Sequence, residues 1–146
     1  MPRKLTVLAT ALFTVALAAT GLALADGKNK ALETIMEKVQ KHTNDIRKST
    51  RTLPQWKKDA AKVAEHAAEI EKLGKEARKI TTPATDIKKP VEDYEKLMDE
   101  MVKSAGELST LAKKKDTTQA QAKEGFNALN KSCTACHSVF RVEEEK

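Results

Sequence analysis

Aromatic side chains are scarce in this chain: three Phe, one Trp and one Tyr make up 3% of its 146 residues. Glycine is scarce too, at five, and no Gly-rich run of the kind that cradles phosphates is present. That excludes the common nucleotide-binding loops. Only two cysteines and three histidines occur. No nucleophile–base pair can be placed and no second group of metal-ligating residues stands out, so nothing indicates an enzyme. No stretch alternates apolar and polar residues as a strand does, and no internal repeat emerges. Basic residues are not gathered into a stripe, which counts against nucleic acid as a partner.

What the chain has in quantity is charge, at 33%, carried with many alanines and a hydrophobic content of 40%. Lys, Glu and Ala favour amphipathic helices over sheets, so the expected fold is all-α. The first 25 residues read as an export signal. Arg3 and Lys4 form a positive end, the stretch from Leu5 to Leu24 carries no charge, and Ala23-Leu24-Ala25 before Asp26 fits a small-x-small cleavage site. The expected organisation is a signal peptide over 1–25 and a single domain over 26–146, exported to the periplasm. The apolar stretch is long enough for an uncleaved membrane anchor as the alternative. Its Ala and Thr content favours cleavage, and with it no stable membrane insertion. The whole chain has 27 basic and 21 acidic side chains, and two of the basic ones are Arg3 and Lys4. The remaining excess is mild and interspersed, and it suits a soluble protein with a lysine-rich docking surface.

Four amphipathic segments follow Asp26. The first spans about Lys30 to Thr50, with Leu32, Ile35, Met36, Val39, Thr43 and Ile46 on one face and Asp26 and Asn29 as caps before it. Pro54 interrupts. The second spans about Gln55 to Ile80, with the seam Trp56, Ala60, Val63, Ala67, Ile70, Gly74 and Ala77, spaced as in a bundle. Residues 81–89 read as a loop. Pro90 opens a third helix whose face runs from Val91 through Tyr94, Met98, Met101 and Leu108 to Leu111, ending at Lys113, Lys114 and Lys115. Thr118 and Gln121 make a capping box for the fourth, whose face is Ala122, Phe126, Leu129, Cys133, Cys136, His137 and Phe140. An antiparallel four-helix bundle is the compact solution.

The fourth helix carries Cys133-Thr134-Ala135-Cys136-His137. C-x-x-C-H is the attachment signature of c-type haem, in which both thiols bond to the porphyrin and the histidine ligates iron. On a helix, Cys136 and His137 both lie within about 60° of Cys133, so all three face one haem. A large flat apolar cofactor also accounts for a core with few aromatics. Other readings are a disulfide, a zinc half-site or a redox dithiol. Zinc needs four ligands, leaving only His42 and His66 to complete the set, and the dithiol needs a βαβ context that is absent. A disulfide leaves the adjacent His137 unexplained.

With Phe140 and Arg141 following the motif, the chain resembles the cytochrome c′ family, the class II c-type cytochromes, whose C-x-x-C-H lies on the last helix of a four-helix bundle. Class I cytochromes usually carry it near the N-terminus. The resemblance implies one covalently attached haem c, with Cys133 and Cys136 as thioether sites and His137 as the proximal iron ligand. It puts Arg141 near the proximal imidazole or a haem propionate, the alternative being an exposed helix-end cation. It also implies a first helix over the opposite face of the iron, where family members with Met are six-coordinate electron carriers and those with Leu or Phe are five-coordinate and open to gases.

Met36 stands at about that place and is the candidate sixth ligand, with Met98 and Met101 in reserve. Members often carry Arg one turn earlier, where this chain has Leu32. His42 is turned about 240° from Met36 and is expected to point to solvent, and His66 to be a surface or boundary residue. The expected function is electron transfer between redox partner proteins. The alternatives are a five-coordinate protein that binds nitric oxide or carbon monoxide, and a haem-free helical interaction protein with a Cys133–Cys136 disulfide. Relatives are often homodimers, and the sequence leaves the oligomeric state of this chain open between monomer and homodimer.

Overall fold

The computed structural model describes residues 22–141, all of them helix or short connection: α1 (Leu22–Thr50), α2 (Leu53–Ala77), α3 (Thr82–Asp86), α4 (Val91–Lys113) and α5 (Gln119–Phe140). Most of the expected signal peptide, residues 1–21, and the tail 142–146 lie outside the described residues. The four long helices alternate in direction. Each packs on the next, α1 on α2, α2 on α4 and α4 on α5, while α1 and α5 close the ring with sparser contact.

The helix boundaries follow local chemistry. Between α1 and α2 only Arg51 and Thr52 intervene, and Pro54 sits in the first turn of α2, where its missing N–H costs nothing. At the start of α5 the Thr118 hydroxyl accepts from the Gln121 N–H while the Gln121 side chain accepts from the Thr118 N–H, the expected capping box. Two expectations fail. The first helix begins at Leu22, not near Lys30, so Asp26 and Asn29 lie inside it and are not caps; Ala23, Ala25, Lys28, Lys30 and Ala31 outweigh the single Gly27. The expected loop 81–89 holds α3, too short to show a period. Its end is a left-handed turn at Lys88, φ 54°, with the Lys88 and Lys89 N–H groups donating to Thr85 and Ala84 at 3.2 and 2.9 Å.

The expected apolar faces become the core. Ile46, Val63, Ala67, Ile70, Tyr94, Met98, Ala105, Leu108 and Leu129 are all buried. Three polar anchors fix how the helices meet. The Trp56 indole donates to the Thr117 carbonyl at 3.1 Å, tying the α4–α5 connection to the start of α2. At the other end the Tyr94 hydroxyl donates to the Ala77 carbonyl at 3.0 Å. Midway, Ser109 of α4 donates to the Ala64 carbonyl of α2 at 2.9 Å. Helices α2 and α4 approach closely at Gly74, where a Cβ would stand 2.8 Å from Val102 Cγ2 and 2.9 Å from Met101 Cε. Outside, Arg78 joins Asp99 and Glu95 of α4 at 2.7 and 3.3 Å.

One contact between α1 and α2 corrects the expectation that His42 points to solvent. His42 and His66 meet Nδ1 to Nδ1 at 2.9 Å, part-buried, with ring centroids 5.1 Å apart. A turn of 240° from Met36 is also a turn of about 120° the other way, and α2 lies on that side. Burial first, then the neighbouring His66, lowers the His42 pKa below 6.5.

Two measurements follow from this packing. Gly74→Val destabilises the protein by about 2 kcal/mol, because a branched side chain is driven into Val102. Lys88→Gly stabilises it by about 1 kcal/mol, since glycine accepts the left-handed turn without strain. Chemical denaturation reads both, and like signs would contradict the account. The second concerns pH. His42 binds its proton more weakly folded than unfolded, so its contribution is complete above about pH 6.5 and is lost as the pH falls through the lowered folded value. His42→Gln removes that part of the acid sensitivity. The drop in thermal midpoint between about pH 7.5 and 5.5 then shrinks by a few degrees, and an unchanged drop would contradict it.

Candidate haem-binding site

The motif occupies the last two turns of α5. At about 100° per residue, Phe126, Cys133 and His137 share one flank of this helix, whereas Cys136 is turned towards the bundle axis. The structure agrees. Cys136 is buried, near enough to Tyr94 to act on its phenol, and Tyr94 meets Phe140 edge to face with centroids 5.4 Å apart. Cys133 is half-buried and His137 is exposed. His137 is therefore off the core stripe on which it was expected. It stands on the flank towards α1, a helix that α5 touches only sparsely.

The register between α1 and α5 is set at their far ends. Gln119 Nε2 donates to the Thr50 carbonyl at 2.7 Å, and the Arg47 guanidinium lies over the Phe126 ring, 5.9 Å from its centroid. The helices are antiparallel and each rises about 1.5 Å per residue. Fourteen residues back from Thr50 is Met36, and fourteen on from Gln119 is Cys133. Eleven back from Arg47 is again Met36, and eleven on from Phe126 is His137. Met36 thus lies level with the motif. Arg47 and Met36 also share a flank of α1, within about 20°, so Met36 is on the side that faces α5. It is half-buried, as are Leu32 and Ile35 beside it.

Burial pushes both thiols up, Cys136 to about 11 with the help of its neighbour Cys133. Both cysteines are free. No three His, Cys, Asp or Glu side chains converge on a metal position among the described residues. The zinc reading thereby loses ground. His137 has its pKa lowered below 6.5, first by desolvation and then by the Arg141 cation. Its imidazole is neutral at pH 7, the form that ligates iron. Arg141 ends the helix, exposed, with its N–H donating to the His137 carbonyl at 3.3 Å. Two surface depressions, of about 400 and 570 Å³, include none of these residues.

The set fits a covalently held haem by its chemistry: two free thiols and a neutral imidazole on two successive turns, a thioether level with them on the facing helix, and Leu32, Ile35 and Phe140 as apolar surroundings. Met98 and Met101 are 1% and 3% exposed in the core, and Met101 lies against α2 at Gly74. Tyr94 is the residue that sequence reasoning passed over at this end. Its packing beneath Cys136 and Phe140 was signalled only by its being the single tyrosine on the face of α4.

A family model described as cytochrome C′ matches residues 28–141, while no curated protein and no solved structure matches the chain. The matched span runs from the first turns of α1 to Arg141 and takes in Met36 and the whole attachment motif. With the C-x-x-C-H motif at the end of the last helix of an all-α bundle, the chain is a c-type haem protein and belongs to the cytochrome c′ family.

Proposed function

We propose that this protein is an exported, single-haem electron carrier whose iron is ligated by His137 and Met36. The observation that carries the reading is the level position of Met36 on the α5-facing flank of α1, opposite His137. Haem c, when bound, supplies an iron that changes by one electron between ferric and ferrous forms.

The chain's own residues do the rest. Cys133 and Cys136 anchor the group to two successive turns of a capped helix, so its position is fixed by α5. Burial of Cys136 against Tyr94 holds that anchor in the core, while the half-exposed flank at Cys133 and His137 leaves an edge near the surface for partner proteins. Leu32 and Ile35 keep water from the Met36 side. A thioether ligand favours the reduced metal and raises the potential, which suits electron transfer. Arg141, beside His137, adds positive charge on the proximal side and suits a haem propionate. Residues 1–25 serve as the signal peptide in this reading, and none of the described helices is long and apolar enough to cross a membrane. Lysines spread over the helices serve docking to acidic redox partners.

A second reading rests on the loose burial of Leu32, Ile35 and Met36. In it Met36 stays off the iron, and the three side chains form an apolar pocket for nitric oxide or carbon monoxide. A high-spin spectrum of the natural protein with rapid gas binding would select it.

Met36→Ala decides between them. Under the first reading the low-spin ferric spectrum becomes high-spin and the reduction potential falls by on the order of 0.1 V, a modest part of the roughly 0.8 V that axial ligands span. An unchanged spectrum and potential would end the case for Met36. A separate check is the mass of the exported protein, which is expected to equal residues 26–146 plus one haem. A mass equal to the bare chain would instead fit a haem-free helical protein.

A further inference from the structure

His42 and His66 are the only two histidines outside the motif, and the fold brings them together from 24 positions apart. Their Nδ1 atoms converge at 2.9 Å across the α1–α2 seam. Two nitrogens so close cannot both carry a hydrogen, so one Nδ1 donates and the other accepts. The same separation has another meaning. Two nitrogens bound at 2.0–2.1 Å and at a right angle about one ion stand about 2.9 Å apart, whereas tetrahedral ligands stand about 3.3 Å apart.

We propose that His42 and His66 form a second metal site, separate from the haem residues, that takes a divalent cation of the copper or nickel class and clamps α1 to α2. Right-angled ligand pairs are the geometry of tetragonal Cu²⁺ and Ni²⁺ sites, and imidazole suits both. The cation replaces the shared hydrogen. One ring gives up its Nδ1 proton to solvent and takes one at Nε2, so the neutral pair loses no net proton.

The surroundings support a cation. Asp45 lies one turn beyond His42 on α1 and Glu69 one turn beyond His66 on α2, and both act on the His42 ring as favourable negative charges. Their lysine partners are loose, Lys48 at 3.6 Å and Lys72 at 4.0 Å, on exposed stems, so either carboxylate is free to turn towards a bound ion. Lys41 is the cation that opposes them. Since no third His, Cys, Asp or Glu already converges with the pair, two imidazoles supply the protein's ligands, and water or a swung carboxylate completes the set. His42 is six residues, about 9 Å along the helix, from Met36 and on the α2 flank, so the ion would not share the haem ligands.

The test uses the haem-loaded exported protein, oxidised, titrated with Cu²⁺ alone and followed by calorimetry and by the copper resonance in electron paramagnetic spectra. One equivalent is expected to bind with a two-nitrogen hyperfine pattern and to raise the thermal midpoint. His42→Gln or His66→Gln is expected to weaken binding by more than the roughly 10–100-fold that loss of a supporting hydrogen bond costs a metal site. Unaltered haem absorption and helical circular dichroism would show each variant folded. Absence of stoichiometric binding, or binding that survives in the His42→Gln/His66→Gln double variant, would overturn the site and leave the pair as an interhelical hydrogen bond. The haem spectrum of Met36→Ala reports on the proposed axial ligand independently of either outcome.

Discussion

The antiparallel fastening of α5 to α1 is the constraint on which the candidate site depends. It is made at the end far from the motif, by the Gln119 amide on the Thr50 carbonyl and the Arg47 guanidinium over Phe126. Each is individually modest. A neutral hydrogen bond contributes about 1 kcal/mol net, and an exposed cation–π contact about 0.5–1 kcal/mol. Their importance is geometric, because α-helices transmit register with little loss over about 21 Å. Fixing the top of the pair brings Met36 level with Cys133 and His137 at the bottom. Helices α1 and α5 touch far less than the pairs α1–α2, α2–α4 and α4–α5, and that sparseness suits a seam for a flat cofactor.

The remainder of the bundle is a scaffold for that seam. Helices α2 and α4 pack tightly, with Gly74 allowing close approach and Ser109 and Tyr94 each spending a hydroxyl on an α2 carbonyl. These bonds lock the rotation of α4, and α4 in turn presents Tyr94 to Cys136 and Phe140. One cysteine is thereby embedded in the rigid half of the molecule, while the other, with the histidine, borders the looser half. Such a division suits a covalently attached group: it is anchored on one side and can be approached from the other.

How far the sequence revealed this depends on the range of each signal. The Thr118–Gln121 capping box, the break between the first two helices near Pro54 and the C-x-x-C-H motif are local and were legible, as were the core faces of α2 and α4. Short-range reasoning failed where neighbouring helices decide. It assigned one stripe to α1, although α1 has two partners at different azimuths: α2 on the flank of Ile46 and His42, and α5 on the flank of Arg47 and Met36. The His42–His66 contact depends on that second partner and on the crossing of two helices, which no periodicity encodes. His137 erred in the opposite sense. It belongs to the right helix and the right turn, but its burial depends on how closely α1 approaches, and α1 and α5 touch only sparsely.

The same geometry bears on which methionine is available. Met98 and Met101 are nearly fully buried in the core, so drawing either towards an iron held from α5 would open a cavity. Losing a core methionine costs about 2–5 kcal/mol, of the same order as the few kcal/mol that a weak soft ligand could return. Met36 faces no such opposition. It is half-buried on the flank that already faces α5, among side chains with room to repack, and its thioether can move without loss of the core. In the proposed ligation, the choice would be set by which methionine the bundle has left partly unpacked, and not by which one is most apolar in its surroundings.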